Sequence, residues 1–282
     1  MGRGDRGGGD VGTTAIAGGR DAPRDQLGLE LVLLDGFRLQ RGMTPVEVCS
    51  TGQRLLAMLG LRGWTSRAVA AGTLWPEVSD RRAHGNLRTT LWRLGQQAVG
   101  AIDAHADGLG LDPAVRVDVR LVTARALSLI GGDEIDPDSV GTVPLVGELL
   151  PGWYDDWVLA EREHCRQLQL HALEALAVRL SDQGRFGEAI HSALAAVRLE
   201  PLRESAHRVV ISVHLEEGNL AEAMRHYRTF RALLRTELDV EPSPRLTALV
   251  QDVPAPRSPQ LVETRRRSHD IADDIPSSGR GR

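Results

Sequence analysis

Two nine-residue stretches, Asp182–Ile190 (DQGRFGEAI) and Glu216–Met224 (EEGNLAEAM), place their glycines at positions 184 and 218, 34 residues apart. That is the period of tetratricopeptide units, helix pairs that bury their apolar faces only by stacking on neighbouring pairs. The agreement extends past the glycines: Phe186 and Leu220 sit two residues on, Ala189 and Ala223 five on, Ala196 and Phe230 twelve on, and Pro201 closes the first unit. Small alanines let the helices of a pair approach, while the larger apolar residues fill the space between pairs. Two units are fewer than the roughly three that such a stack needs, so flanking helices must cap it. A helix over 118–131, stopped by Gly131-Gly132, and a long amphipathic helix from about Trp153–Trp157 to Gln183 are placed to do so, joined by a linker over about 132–144.

The N-terminal half has another rhythm. Apolar runs at Leu29–Leu34 and Phe37–Gln40 flank Asp35-Gly36, a two-residue hairpin signal. Residues 51–61 put Leu55, Leu56 and Leu59 on one helical face before Gly63. A second helix, capped by Thr65 with Val69 and Ala70 turned inward, ends at Leu74–Glu77 (LWPE). A third, capped by Ser79 or Asp80, runs to about Val99, and Ala101–Leu111 reads as a hairpin turning at Asp107-Gly108. Strands, three helices and a hairpin in that order predict a winged helix-turn-helix, against the alternative of a three-helix bundle with a solvated charged face. The fold class is therefore mainly α: an N-terminal winged helix-turn-helix followed by an all-α, tetratricopeptide-like helical-repeat domain. The predicted divisions are a disordered tail over 1–27, the winged-helix domain over 28–117, the helical-repeat domain over 118–252 and a disordered tail over 253–282.

Along the third helix Ala83, Leu87, Leu91, Leu94 and Ala98 form one apolar stripe. At about 100° per residue, the opposite face carries Arg82, Gly85, Thr89, Trp92 and Gln96, with Asn86, Arg88 and Arg93 on its shoulders. Arginine grips phosphate and reads guanine, and Asn and Thr reach base edges. The candidate DNA-binding residues are Arg82, Asn86, Arg88, Thr89, Trp92 and Arg93. Trp92 has an equal claim as a packing residue against the wing or a partner subunit.

Net charge taken over the whole chain opposes this reading, since the 282-residue chain is at −4. The charge is unevenly spread. Residues 50–100 hold seven arginines against Glu77 and Asp80, a net +5, and the acidic excess lies elsewhere. All 34 basic residues are arginine, so the lysines of a Walker loop or a phospho-acceptor receiver are missing. No GxSxG or HExxH constellation suggests an enzyme. Cys49 and Cys165 have no metal-site spacing. His164 and His171 lie two helical turns apart, about 10.5 Å along the axis, too far for one ion. Neither a cofactor nor a metal is expected, and the glycine-rich start is neither a signal peptide nor a membrane span. A cytoplasmic, nucleoid-associated protein is expected. Trp153, Tyr154 and Trp157 read as an aromatic cluster of an interdomain core.

Several blocks in order resemble the Streptomyces antibiotic regulatory protein family: Gln53–Leu59 (QRLLAML), Leu74–Glu77, Ala83 with Leu87–Leu94 (LRTTLWRL), Gly108–Val119, Asp155–Glu163 (DDWVLAERE), the GRFGEAI repeat and Glu237–Leu249 (ELDVEPSPRLTAL). The resemblance covers about residues 28–252. It implies an OmpR-like winged helix bound to direct repeats upstream of antibiotic or other secondary-metabolite genes. It also implies a bacterial transcriptional activator domain that supports dimer or oligomer contacts and engages RNA polymerase. It places Asn86, Arg88, Thr89, Trp92 and Arg93 on the recognition helix. The chain departs from the family pattern at Gly95-Gln96-Gln97, where further basic residues are usual, and in a wing carrying Asp103, His105 and Asp107. Fewer phosphate contacts imply modest affinity for a lone monomer. A tetratricopeptide-like scaffold whose N-terminal domain binds protein is the competing reading.

Overall fold

A computed structural model describes residues 28–132 and 145–251; the two predicted tails lie outside them, as does the predicted linker apart from Gly132. The chain opens with β1 (Leu29–Val32) and β2 (Arg38–Arg41), antiparallel with Leu31 opposite Leu39, followed by β3 (Thr44–Pro45). Asp35 and Gly36 both take positive φ between the first two strands, but the connection is a five-residue loop, Leu33 to Phe37, rather than the two-residue hairpin that the sequence signalled, because Leu34 bridges to Leu149 and Asp35 N–H donates to Glu148 O. Three helices follow: α1 (Ser50–Arg62), α2 (Arg67–Leu74) and α3 (Asp80–Gln97). The wing is β4 (Ile102–Ala104) paired with β5 (Leu109–Leu111). The chain then returns as β6 (Arg116–Val117), parallel to β1, and completes a four-stranded sheet of order β3-β2-β1-β6.

α4 (Asp118–Gly131) and α5 (Asp156–Asp182) lead into α6 (Phe186–Leu199), α7 (Glu204–Glu217), α8 (Leu220–Leu238) and α9 (Pro244–Gln251). The repeat is borne out: Gly184 and Gly218 turn the chain at left-handed φ of 73° and 86°, and Ala189, Ala196, Ala223 and Phe230 are all buried. α9 packs on α7 and α8 as the terminal cap.

Three expectations fail locally. Ser66, not Thr65, caps α2, its hydroxyl accepting from Val69 N–H at 3.2 Å. Thr65 instead exchanges backbone hydrogen bonds with Leu109 of β5, at 3.0 and 2.9 Å. Val69 is exposed, and α2 buries Ala70, Ala71 and Leu74. The aromatic cluster is also smaller than expected. Trp157 is buried and Trp153 stacks on Phe37, but Tyr154 is 79% exposed, and both Trp153 and Tyr154 precede α5.

The first core runs from Leu29 through α1, α2 and α3 and on to Trp157, Val158 and Cys165 of α5. α4 contributes Val119 and Val122 to this core and Ala126 and Leu129 to the second, which the repeats fill. Polar contacts reinforce the same seam. The Asp118 carboxylate accepts from Leu33 N–H (3.0 and 3.1 Å) and Leu34 N–H (3.0 Å). Arg120 donates to Leu59 and Gly60 carbonyls, closing the C-terminal end of α1. Arg54 pairs with Asp155, and Arg62 with Glu161 at 2.9 Å. Within this seam, burial and the Asp118 charge push the Cys165 thiol up to about 11, which leaves it protonated and inert at neutral pH.

In the second repeat His207 bridges the two units: one ring nitrogen meets Pro201 O at 2.8 Å, the other meets His226 Nε2 at 2.9 Å, and the ring stacks on Phe230. A carbonyl only accepts, so His207 carries its proton on Nε2 and accepts through Nδ1 from His226. Burial pushes both imidazoles down, His226 to about 4, against an ordinary value near 6.5. The unfolded chain therefore binds more protons than the fold below about pH 6.5, and stability falls as pH drops from there toward about 4. Thermal melts should show Tm dropping over this window and a shallower drop in His226→Gln; equal slopes for both proteins would show that the pair is not responsible.

Candidate nucleic-acid interface

Helix α3 is oriented by the stripe that the sequence predicted. Ala83, Leu87, Leu94 and Ala98 are buried and Leu91 is half-buried, so the opposite face is left to solvent. Arg82, Arg88, Thr89, Trp92 and Arg93 are exposed, with Trp92 at 68%, and Asn86 is half-buried on the shoulder. The six residues thus share one helix, but they are not equally accessible. Asn86 uses its backbone carbonyl to accept from Thr90 Oγ1 at 2.9 Å, and Thr89 Oγ1 donates back to Gly85 O at 3.1 Å. Both hydroxyls keep lone pairs to accept with. Thr90 itself is buried, a polar member of the inward stripe that the apolar pattern did not reveal.

The charges on this face are available. Among the described residues, none of Arg81, Arg82, Arg88 and Arg93 lies within ion-pair distance of a carboxylate, whereas Arg54, Arg62, Arg166, Arg203, Arg231 and Arg235 are paired. Arg81 is equally exposed and extends the basic face by one residue at its start. Arg93 lies against the start of α1. There, partial burial pushes the Cys49 thiol up, but the Thr51 hydroxyl, the Gly52 N–H and the Arg93 guanidinium outweigh it and hold the thiol below its usual range. Gln97 closes the same corner, its side-chain oxygen accepting from Cys49 N–H at 3.3 Å.

The wing differs from a simple Asp-Gly hairpin. Gly108 does not adopt positive φ; it is small because its neighbours leave no room. A Cβ there would stand 2.6 Å from Thr65 O and 2.7 Å from Trp64 Nε1, and one at Gly110 would stand 2.9 Å from the Trp64 ring. The Trp64 indole therefore lies across β5, with His105 beside it at 5.7 Å between ring centroids. Asp103 Oδ1 of the wing lies 2.9 Å from His105 Nε2. Arg67, the first residue of α2, points its Nε and Nη2 at the His105 carbonyl, 3.4 and 3.2 Å away. Neither Trp64 nor Arg67 was found from sequence, because both contacts join segments about 40 residues apart, and only the G-x-G spacing at 108 and 110 hinted at something lying across the strand.

The other signals that the sequence raised place no site. His164 is exposed on α5, and His171 is within 3.2 Å of Arg203, a cation rather than a metal's company. Among the described residues no group of three or more His, Cys, Asp or Glu side chains is arranged to hold a metal ion, and no helix is long and apolar enough to cross a membrane.

Residues 144–253 match the family model of the bacterial transcriptional activator domain. The chain is 32% identical to the regulatory protein AfsR of Streptomyces coelicolor over 74% of its length, and 28% identical to AfsR of Streptomyces griseus over 80%. It spans about a quarter of those relatives, 25% and 24%. Among solved structures, Mycobacterium tuberculosis EmbR in complex with a low affinity phosphopeptide shares the fold with a TM-score of 0.58 at 20% identity, over 80% of this chain and 64% of that one. A winged helix-turn-helix joined to this helical-repeat domain defines a bacterial transcriptional regulator. Residues 144–253 thus carry a bacterial transcriptional activator domain, and the chain is similar to the Streptomyces regulatory protein AfsR over both of its domains.

Proposed function

We propose that this regulator binds double-stranded promoter DNA in a sequence-specific manner through α3, with Asn86, Arg88, Thr89, Trp92 and Arg93 facing the major groove and Arg82 on the flanking phosphate. The observation that carries the reading is the set of arginines exposed on one face of α3 without carboxylate partners. An unpaired guanidinium keeps its full charge for phosphate and its fork for guanine. The DNA-contacting unit is residues 28–117, and residues 118–252 form the activator domain. The resemblance to Streptomyces antibiotic regulatory proteins supports the further steps: binding as a homodimer or oligomer to direct repeats upstream of a secondary-metabolite gene cluster, and help in recruiting RNA polymerase.

Titration of labelled fragments from the neighbouring promoters tests this. One fragment should bind with log K falling linearly against log salt, at a slope of about −0.9 per neutralised phosphate, and tighter than random DNA of equal length. Salt-independent or absent binding to every fragment would instead favour the scaffold reading, in which the helical repeats bind protein and the winged helix binds no specific DNA.

A further inference from the structure

We propose that Arg67 is a phosphate-contacting residue, supplying from α2 the cation that the wing itself lacks; the assignment rests on the DNA-binding reading above. The hairpin from Ile102 to Leu111 contains no arginine and two aspartates. Taken alone it would repel a phosphate backbone. The fold changes that balance: the Arg67 guanidinium is held at the hairpin's turn by the His105 carbonyl.

A carbonyl oxygen orients a guanidinium without neutralising it. Arginine carries five N–H donors in a rigid fork; those on Nε and Nη2 aim at His105 O, while Nη1 has no partner among the described residues. No carboxylate of the described residues lies within ion-pair distance of Arg67. The side chain is also fixed to the wing rather than swinging from α2. Two backbone hydrogen bonds join Thr65 to Leu109, Trp64 lies over Gly108 and Gly110, and Ser66 caps the helix that Arg67 begins. A cation ordered in advance loses less entropy when it meets its anion. A half-buried stem, a fixed orientation and free N–H donors suit it to backbone phosphate oxygens, which position a protein on DNA without reading sequence.

The test is the salt dependence of promoter binding by the full chain, compared among wild type, Arg67→Ala, Arg67→Lys and Arg116→Ala. Arg116 is a control, 72% exposed on the N-terminal sheet. Arg67→Ala should flatten the log K against log salt slope by about 0.9. Between about 50 and about 200 mM salt it should therefore lose roughly threefold less affinity than wild type. It should weaken specific and random fragments by the same factor. Arg67→Lys, which keeps the charge, should retain the wild-type slope, and Arg116→Ala should match wild type. A full wild-type slope in folded Arg67→Ala overturns the assignment while leaving the DNA reading intact. So does loss of slope in Arg67→Lys, which keeps the charge and would trace the defect to a displaced wing. No salt-dependent binding by wild type removes both readings together.

Discussion

Arg93→Ala is expected to weaken selective promoter binding roughly five- to 150-fold while leaving the far-ultraviolet circular dichroism unchanged. Arg93 is exposed and lies off the Ala83, Leu87, Leu94 stripe that holds α3 in place, so its removal opens no cavity. A bidentate arginine contact to a base is worth about 1–3 kcal/mol, roughly five- to 150-fold in discrimination. The side chain also lies beside Cys49 at the start of α1, which gives the result a second possible origin. Cys49→Ser separates the two: it should keep binding, because it leaves the guanidinium in place. Unchanged binding by folded Arg93→Ala would remove this face of α3 from the interface. This loss would depend on sequence, whereas the loss expected from Arg67 would not.

The largest effect on stability is expected from Asp118→Ala. Its carboxylate accepts from the backbone of Leu33 and Leu34, and also from Val119 N–H at 2.7 Å. Alanine would leave the segment just after β1 with two unpaired donors, Leu33 N–H and Leu34 N–H, in a part-buried seam. A buried N–H left unpaired costs about 1–3 kcal/mol, so a total near 3 kcal/mol is expected. At about 2–4 °C per kcal/mol for a chain of this size, Tm should fall by roughly 10 °C. Asp118→Asn retains one acceptor oxygen and should lose about half as much. A change below about 2 °C in the alanine variant would mean that solvent replaces the carboxylate, since only the net value of an exposed hydrogen bond would be lost.

What was legible in the sequence followed period and local chemistry. The spacing of Gly184 and Gly218 and the stripe on α3 report periodic constraints and appear in the structure as read, and Asp35-Gly36 turns the chain, although in a wider loop than a two-residue hairpin. The failures share the opposite character. Thr65 looked like a helix cap because Thr and Ser are both good caps; a bridge to Leu109, far along the chain, decided between them. Asp107-Gly108 has the composition of a tight turn, but Gly108 is required by the indole and carbonyl packed against it. Of the interface, the α3 face was visible because amphipathic periodicity exposes whatever it does not bury. The contribution of Arg67 to the wing was invisible because a side chain reaching a distant carbonyl leaves no periodic trace.

The continuation of the first core into Trp157, Val158 and Cys165 bears on how such regulators can be recombined. A chimera joined between Val117 and Asp118 would sever Leu33 and Leu34 from their acceptor and leave Arg54 and Arg62 without Asp155 and Glu161. Half of α5 is thus inherited with the winged helix, whichever repeats follow it. The workable crossover lies inside that helix, beyond Cys165, and an exchange of repeat domains there has to preserve helical phase as well as reading frame.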